Sequence, residues 1–583
     1  MKTTDLFRKL TRIVDPSQKK KFYWLIPIIL LGSCLEAFGV SLMVPLITVI
    51  MDPGVMLREG IIHTVCSALD ITEHRIFVLL CIGCIILCYI LKNAFLIFQT
   101  RYKEEFAATC KLITRGKAMH SFLSQPYEYH LYSESGDLVK LIKTDIPLAY
   151  NALSVFLGLI TDLVVMAAVI LSIGIIDPLI TGVSCFVLIA TSFVILRFLK
   201  PMMREAGKNY HLSSREENKW ILETVGGIKE IIVTGKQGFF EEKIHNCGKI
   251  SVESGKKNTL LSVIPRMLLE VISVCSILLL IGIAVYNGRE ITSLIPSLGA
   301  LTMAAVRLLP GAYKVIGAWN TLLYALPSID RVTEALDATP SETPFSASFP
   351  VPFPFRDHIE LRNISYRYPG TTEYILKDAN MVIPFGMSVG IVGMSGAGKT
   401  TAADIVLGLL KPEQGEVLCD GRNILENYPG WISCIGYIPQ MIFLLDDSIR
   451  KNIAFGTDED QIDEARLSRA LREAQLESFV NTLSEKADTR IGERGIRLSG
   501  GQRQRIGIAR ALYNDPEILV FDEATSSLDT ETESALMDAI EQLHGKKTMI
   551  IIAHRLNTIR KCDLVYRVRD SRIEQSHENF SEA

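Results

Sequence analysis

The run Gly393-Met394-Ser395-Gly396-Ala397-Gly398-Lys399-Thr400 decides how the second half of this 583-residue chain folds. It follows an apolar stretch, Ser388–Val392, that reads as a buried strand, and it opens onto Thr401–Leu410, whose apolar spacing reads as a helix. A glycine-rich turn in that setting is what a phosphate-binding loop requires. Gly393, Gly396 and Gly398 free backbone N–H groups to face a phosphate, while Ser395, Ala397 and Thr401 complete the cradle. Lys399 can reach the terminal phosphates as a point charge, and the Thr400 hydroxyl suits Mg2+.

Further along, Ile518-Leu519-Val520-Phe521 reads as a second buried strand that ends in two carboxylates, Asp522 and Glu523. Ligands of open α/β sheets bind at the carboxyl ends of the strands, so both side chains emerge where a nucleotide would lie. Asp522 suits the Mg2+ shell, and Glu523 suits the general base for an attacking water. Between these signals lies Leu498-Ser499-Gly500-Gly501-Gln502, followed by a helical pattern over Arg503–Tyr513. It offers a second exposed helix start to phosphate. One nucleotide does not need two such cradles from one domain.

In these motifs the sequence resembles the ATPase of ABC transporters, and the resemblance implies that the Ser499, Gly500, Gly501 and Gln502 cradle closes on ATP held by an opposite subunit. Four more residues match in order. The resemblance makes Tyr368 the aromatic that stacks on adenine and Gln440 the residue that reads Mg2+ and the γ-phosphate. It makes Asp529 part of the loop that couples two sites, and His554 the switch residue at the γ-phosphate. The implied cofactors are ATP and Mg2+. Catalytic roles fall to Glu523, His554 and Gln440, and metal ligation to Thr400, Gln440 and Asp522.

The first half is of another character. Hydrophobic residues make up 48% of the chain, whereas charged ones make up 21%, and mean hydropathy is +0.26. A polar portion therefore balances a very apolar one. The net charge of −3 gives no footprint for nucleic acid. The 12 cysteines are scattered, and Cys81 and Cys84 sit in an apolar run with no second ligand pair, so they read as membrane or core residues.

Stretches of spanning length occur at Phe22–Ile50, Arg75–Phe98, Asn151–Ile176, Leu179–Leu199, Leu260–Tyr286 and Ile291–Ala318. Basic residues crowd the amino-terminal arm (Arg8, Lys9, Arg12, Lys19–Lys21) and the loop after the second stretch (Arg101, Lys103, Lys111, Arg115, Lys117). The positive-inside rule puts the amino terminus, and everything after the sixth stretch, in the cytoplasm. Thr100–Asn151 and Lys200–Asn258 are polar but poor in turn signals, so they continue as helices beyond the bilayer, with breaks expected at Gly226–Gly227 and Ser133–Gly136. Prolines cluster from Pro340 to Pro354 and mark a linker.

The expected fold is an α-helical six-span transmembrane domain (1–338), a linker (339–357) and an α/β P-loop nucleotide-binding domain (358–583). The whole-chain resemblance is to the exporter (type IV) class of ABC half-transporters. It implies a homodimer in the inner (plasma) membrane, with the ATPase domain cytoplasmic.

Charges within the apolar stretches are costly and normally face a cavity or a partner. Lys92, Arg266 and Arg307 lie on three of them and would suit an anionic headgroup such as a pyrophosphate. The alternative is internal pairing, Arg266 with Glu270, and snorkelling of Lys92 and Arg307. The runs Glu36–Ile47, Ile264–Glu270 and Ala305–Pro310 resemble the bacterial flippases of lipid-linked oligosaccharides. That resemblance implies a polyprenyl-pyrophosphate glycan as substrate, a basic cavity built with Lys92, Arg266 and Arg307, and a short outer helix within Asp52–Glu73. Exporters of drugs, simple lipids or peptides, and an ATP-gated channel or regulatory subunit, are the other readings of the same residues.

Overall fold

The computed structural model describes residues 3–41, 74–133, 135–176, 178–286, 291–337, 351, 353–523, 541–553 and 559–576. The chain forms two compact units: residues 1–123 with 133–340, and residues 124–132 with 341–583. Ser124–Tyr132 thus leaves the helical half of the sequence to join the second unit, a crossing that the domain boundaries expected from sequence do not contain.

In the first unit the helices are α1 (Thr3–Ile13), α2 (Lys19–Ser41), α3 (His74–Leu123), then, after helix α4 (Tyr127–Tyr132) of the other unit, α5 (Ser135–Lys140). A five-residue π-helical turn, Leu141–Asp145, leads into α6 (Ile146–Ile176). There follow α7 (Pro178–Gly226), α8 (Ile228–Thr234), α9 (Gln237–Tyr286) and α10 (Ile291–Asp337). Among the described residues, six long helices (α2, α3, α6, α7, α9 and α10) overlap the apolar stretches, α2 following the first of them as far as Ser41. Among the described residues, two helical runs, Arg75–Leu123 and Gly136–Leu171, are long and apolar enough to cross a membrane by length and composition.

The polar extensions do continue as helix. At about 1.5 Å per residue, the 50 residues of α3 and of α9 and the 49 of α7 exceed the ~30 Å hydrocarbon layer more than twofold. The α7–α8 break falls at Gly226–Gly227, where two residues of the poorest helix propensity short of proline meet.

Leu25, Ile29, Leu153, Leu157, Met203, Leu322 and Ile329 form the buried heart of this unit. Other apolar side chains, such as Leu87, Ile97, Phe186, Phe193 and Leu279, face outward, as lipid contact requires. Helices α7 and α10 meet without a spacer: a Cβ on Gly207 would lie 2.4 Å from the Tyr324 carbonyl oxygen.

The second unit holds two sheets. Strands β1 (His358–Tyr366), β2 (Leu376–Pro384), β4 (Gln414–Cys419) and β5 (Arg422–Asn423) make an antiparallel sheet in the order β2-β1-β4-β5. Strands β3 (Ser388–Gly393), β6 (Ile435–Ile438), β7 (Ile518–Asp522), β8 (Thr548–Ile552), β9 (Leu564–Arg569) and β10 (Arg572–Gln575) make the other, in the order β10-β9-β3-β8-β7-β6. All its pairings are parallel except β9–β10. Every residue of β7 and β8 is buried, which explains their unbroken apolar runs: a parallel strand is covered on both faces. Helix α11 (Lys399–Val406) packs its buried Ala402, Ala403, Ile405 and Val406 beside this sheet, and helix α12 (Gly500–Leu512) builds a second core with Ile438, Leu519 and Met549.

Candidate nucleotide site

Strand β3 delivers the glycine loop and α11 leaves it at Lys399. Two glycines are sterically required. A Cβ on Gly393 would sit 2.5 Å from the Val568 carbonyl oxygen, and Gly398 caps α11 at φ +105°, with Ile375 2.9 Å from where its Cβ would be. The Lys399 ammonium is buried and folds back to donate to the carbonyls of Gly393 (3.2 Å) and Met394 (3.0 Å). Burial holds its pKa below the usual lysine value, against the pull of Glu523 and Asp522. A phosphate would replace those carbonyls as the partner of a poorly solvated cation.

Asp522 ends β7, one strand removed from β3 across β8. Its buried carboxylate accepts from the Tyr437 hydroxyl at 3.4 Å and from Thr400. Burial, with Glu523 adding repulsion, pushes its pKa up. A divalent cation would relieve that penalty, and Thr400 and Asp522 already meet as two oxygen donors, so the residues fit Mg2+. Glu523 follows in a left-handed conformation, φ +49°, which costs a non-glycine residue about 1–3 kcal/mol. Its N–H bonds the Ile552 carbonyl at 3.0 Å, and its carboxylate accepts from Gln440 Nε2 at 2.8 Å. The structure thus brings Lys399, Thr400, Gln440, Asp522 and Glu523 together.

Tyr368 lies against the start of α11. Its hydroxyl lies 3.1 Å from the Thr401 hydroxyl, and its ring meets Tyr366 edge to face, centroids 5.3 Å apart. The second cradle is held by local bonds. Ser499 caps α12 through a reciprocal box, with Gln502 N–H donating to Ser499 Oγ at 3.2 Å and Ser499 N–H to Gln502 Oε1 at 2.9 Å. Ser499 is exposed, and Gly500 and Gly501 form the first turn behind it. Asp529 and His554 lie outside the described residues.

Sequence reasoning missed Asp404 and Tyr437. Asp404, buried one turn beyond Lys399, has its carboxyl pushed up to about 7 by burial and by Asp522. A helical Asp facing inward is out of place on an apolar face, and that was the available signal. Arg510 was missed as well: it donates to the carbonyls of Asn452 and Phe443, each at 2.7 Å, and so fastens α12 to the segment after Gln440.

Of the three cations in the apolar stretches, Lys92 lies over the Tyr89 ring, 4.5 Å from its centroid, and against Gly39 of α2. Arg266 lies over the Tyr313 ring at 5.5 Å. Arg307 is in α10, its side chain outside the described ones. Among the described residues neither Lys92 nor Arg266 makes an ion pair, and Arg266 does not reach Glu270. Asp162 instead pairs with Lys314 at 3.5 Å. No cluster of metal-binding side chains occurs among the described residues, Cys81 and Cys84 included.

A phosphate loop, an acidic strand end and a second exposed helix start on one α/β unit define a nucleotide-hydrolysing cassette, here in one chain with a unit of long apolar helices. The chain belongs to the ABC transporter family: the family's ATPase profile matches residues 376–526, and that of its transmembrane region matches residues 40–297. It is 31% identical over 458 residues to an ATP-dependent lipid A-core flippase of Desulfotalea psychrophila, covering 76% of this chain and 78% of that one. It is 30% identical to the heterocyst differentiation ATP-binding protein HepA of a Nostoc species, covering 76% and 72%. A bacterial Atm1-family ABC exporter with ATP bound shares the fold, with a TM-score of 0.75 at 21% identity over 97% of this chain and 96% of that one. The protein is an ATP-binding membrane transporter with an ATPase domain.

Proposed function

We propose that two copies of this chain form one exporter in the inner (plasma) membrane, cassettes in the cytoplasm, that flips a lipid-linked oligosaccharide to the outer leaflet. The observation that carries the substrate is the state of Lys92 and Arg266, cations seated on aromatic rings of long apolar helices and free of carboxylates among the described residues. Such cations are available to an anion, and a polyprenyl-pyrophosphate glycan supplies one between a lipid tail and a polar head. Relatives named as flippases of lipid A-core support the wider class of amphiphile.

In each cycle Lys399 and the loop N–H groups hold the phosphates, and Tyr368 holds adenine. Glu523, oriented by Gln440, takes the proton of the attacking water, while Ser499 of the opposite copy closes the site. Thr400, Gln440 and Asp522 would hold Mg2+, which would neutralise charge at the phosphates. Asp529 and His554 complete the coupling loop and the γ-phosphate switch.

The test is transport in vesicles of purified protein given a polyprenyl-pyrophosphate oligosaccharide, a lipid A-core glycolipid or neither. ATP-dependent flipping of the first, with matching ATPase stimulation, is expected. Flipping confined to the second would replace the substrate but keep the class, and movement of neither would remove both.

A further inference from the structure

We propose that Glu128, on the short segment that leaves the helical half of the chain, is a positioning residue for the nucleotide, acting on the adenine platform Tyr368 through Tyr366. The inference rests on the reading of Tyr368 as that platform.

Four relationships connect the residues, all within one compact unit. Ser124–Tyr132 clusters with 341–583 although the sequence places it between α3 and α5. Tyr366, at the end of β1, is 1% exposed, so its hydroxyl needs a partner inside the protein. It donates to Glu128 Oε1 at 3.1 Å. The Tyr366 ring then meets the Tyr368 ring at 83° with centroids 5.3 Å apart, and the Tyr368 hydroxyl lies 3.1 Å from that of Thr401, beside the phosphate loop. A carboxylate on α4 is therefore linked by a hydrogen bond, a ring contact and a second hydrogen bond to the start of α11. The adjacent Tyr127 feels the charges of Asp404 and Asp522, so α4 lies within electrostatic reach of the phosphate end also.

Physical consequences follow in both directions. Withdrawing α4 strips a buried hydroxyl of its acceptor and leaves the Tyr366 ring free to turn, which loosens the edge on which Tyr368 rests. Binding of a base on Tyr368 fixes the same ring from the other side and so favours α4 in place. Linkage makes the two effects equal.

The experiment uses the full chain in lipid nanodiscs, with a fluorescent ATP analogue for affinity, ATPase kinetics, and thermal unfolding without nucleotide. Glu128→Ala and Tyr366→Phe should each weaken nucleotide binding by roughly tenfold, the loss of one charge-assisted bond. KM should rise by more than kcat falls. The double variant should be no weaker than either single one, because both remove the same bond. Glu128→Gln, whose amide oxygen still accepts, should recover most of the affinity. Tyr368→Ala, run alongside, tests the platform itself. If it weakens binding while Glu128→Ala and Tyr366→Phe do not, the relay is wrong and the platform stands. If it leaves binding unchanged, both fall. Additive losses in the double variant, or a lower unfolding temperature with unchanged affinity, would also overturn the relay. Should Glu128→Ala fail to fold, Tyr366→Phe removes a single oxygen and decides the matter with Glu128→Gln.

Discussion

Gln440 Nε2 donates a hydrogen bond to Glu523 Oε2 across 2.8 Å, joining the segment after β6 to the residue that follows β7. The two strands are parallel neighbours, so their carboxyl ends deliver both side chains to one edge of the sheet. An amide donor at this distance orients the carboxylate without neutralising it, which is what a general base requires. Glu523→Gln should therefore bind ATP normally and turn it over about a hundredfold more slowly or worse. Steady-state hydrolysis beside nucleotide binding measures this, and near-normal turnover would remove the base from Glu523.

A second prediction concerns where the two halves of one site come from. Lys399 and Ser499 serve different helix starts, and Ser499 spends its side chain capping α12. In a dimer formed from one Lys399→Ala and one Ser499→Ala copy, both lesions should fall in the same site and leave the other intact. The mixed dimer should then keep a substantial part of its single-site nucleotide trapping, while either pure dimer loses both sites. Loss of the cap itself costs about 1 kcal/mol, so Ser499→Asn, which can still cap, separates helix stability from nucleotide contact. Equal damage at both sites of the mixed dimer would contradict the cross-subunit arrangement.

Gly393 illustrates a glycine fixed by crowding. Its Cα faces the Val568 carbonyl of the neighbouring strand so closely that a Cβ would stand 2.5 Å from the oxygen. Gly393→Ala must push β3 and β9 apart, and overpacking of this kind costs about 1–3 kcal/mol. Lower thermal stability together with weaker ATP binding is expected. Gly396→Ala, where nothing lies within 4 Å of the added Cβ, should be limited by its backbone conformation, φ +79°.

Much of this was legible because each motif is local. The glycine loop needs its strand before it and helix after it, and Gly226–Gly227 breaks a helix by propensity alone. The crossing of Ser124–Tyr132 into the other unit was not legible, since Glu128 and Tyr366 are 238 residues apart and neither carries a pattern that names the other. Tyr437 was missed for the same reason, since its meaning comes from its bond to Asp522, a product of strand order, whereas Asp404 showed only as an acid on an apolar helix face.

Buried charges within the helical unit give a stability test. Asp145, at the end of the π-helical turn, accepts from Ser328 Oγ at 2.7 Å and has Lys140 Nζ and His211 Nε2 each at 3.6 Å. Lys140 and Asp145 are both 2% exposed. Removing one partner of a buried pair strands the other, at a cost of about 3–5 kcal/mol. Lys140→Ala should lower the unfolding temperature sharply, and adding Asp145→Asn should restore part of the loss. If the second change deepens the loss, the pair is not what sets the penalty.

The last prediction separates a substrate contact from a structural one. Arg266 rests on Tyr313 rather than on Glu270, so its removal strands no carboxylate among the described residues. Arg266→Ala should therefore leave folded yield and thermal stability close to the parent. Arg307→Ala carries the same expectation for transport from its place on α10. Both positions lie in the helical unit, while every residue of the nucleotide site belongs to the other, so basal ATPase activity should be spared. Each loss of a charge-assisted contact to pyrophosphate is worth on the order of 1.5–3 kcal/mol, roughly tenfold or more in affinity. Replacing Lys92 should do less, because an ammonium offers a point charge without the guanidinium fork. Arg266→Lys should accordingly recover only part of the transport lost in Arg266→Ala. Reconstituted variants followed for glycolipid translocation, ATPase rate and thermal stability together give the answer. Unchanged transport in the Arg266/Arg307 double variant would discard the anionic-headgroup cavity, whereas a collapse of stability in Arg266→Ala would return that residue to a structural role.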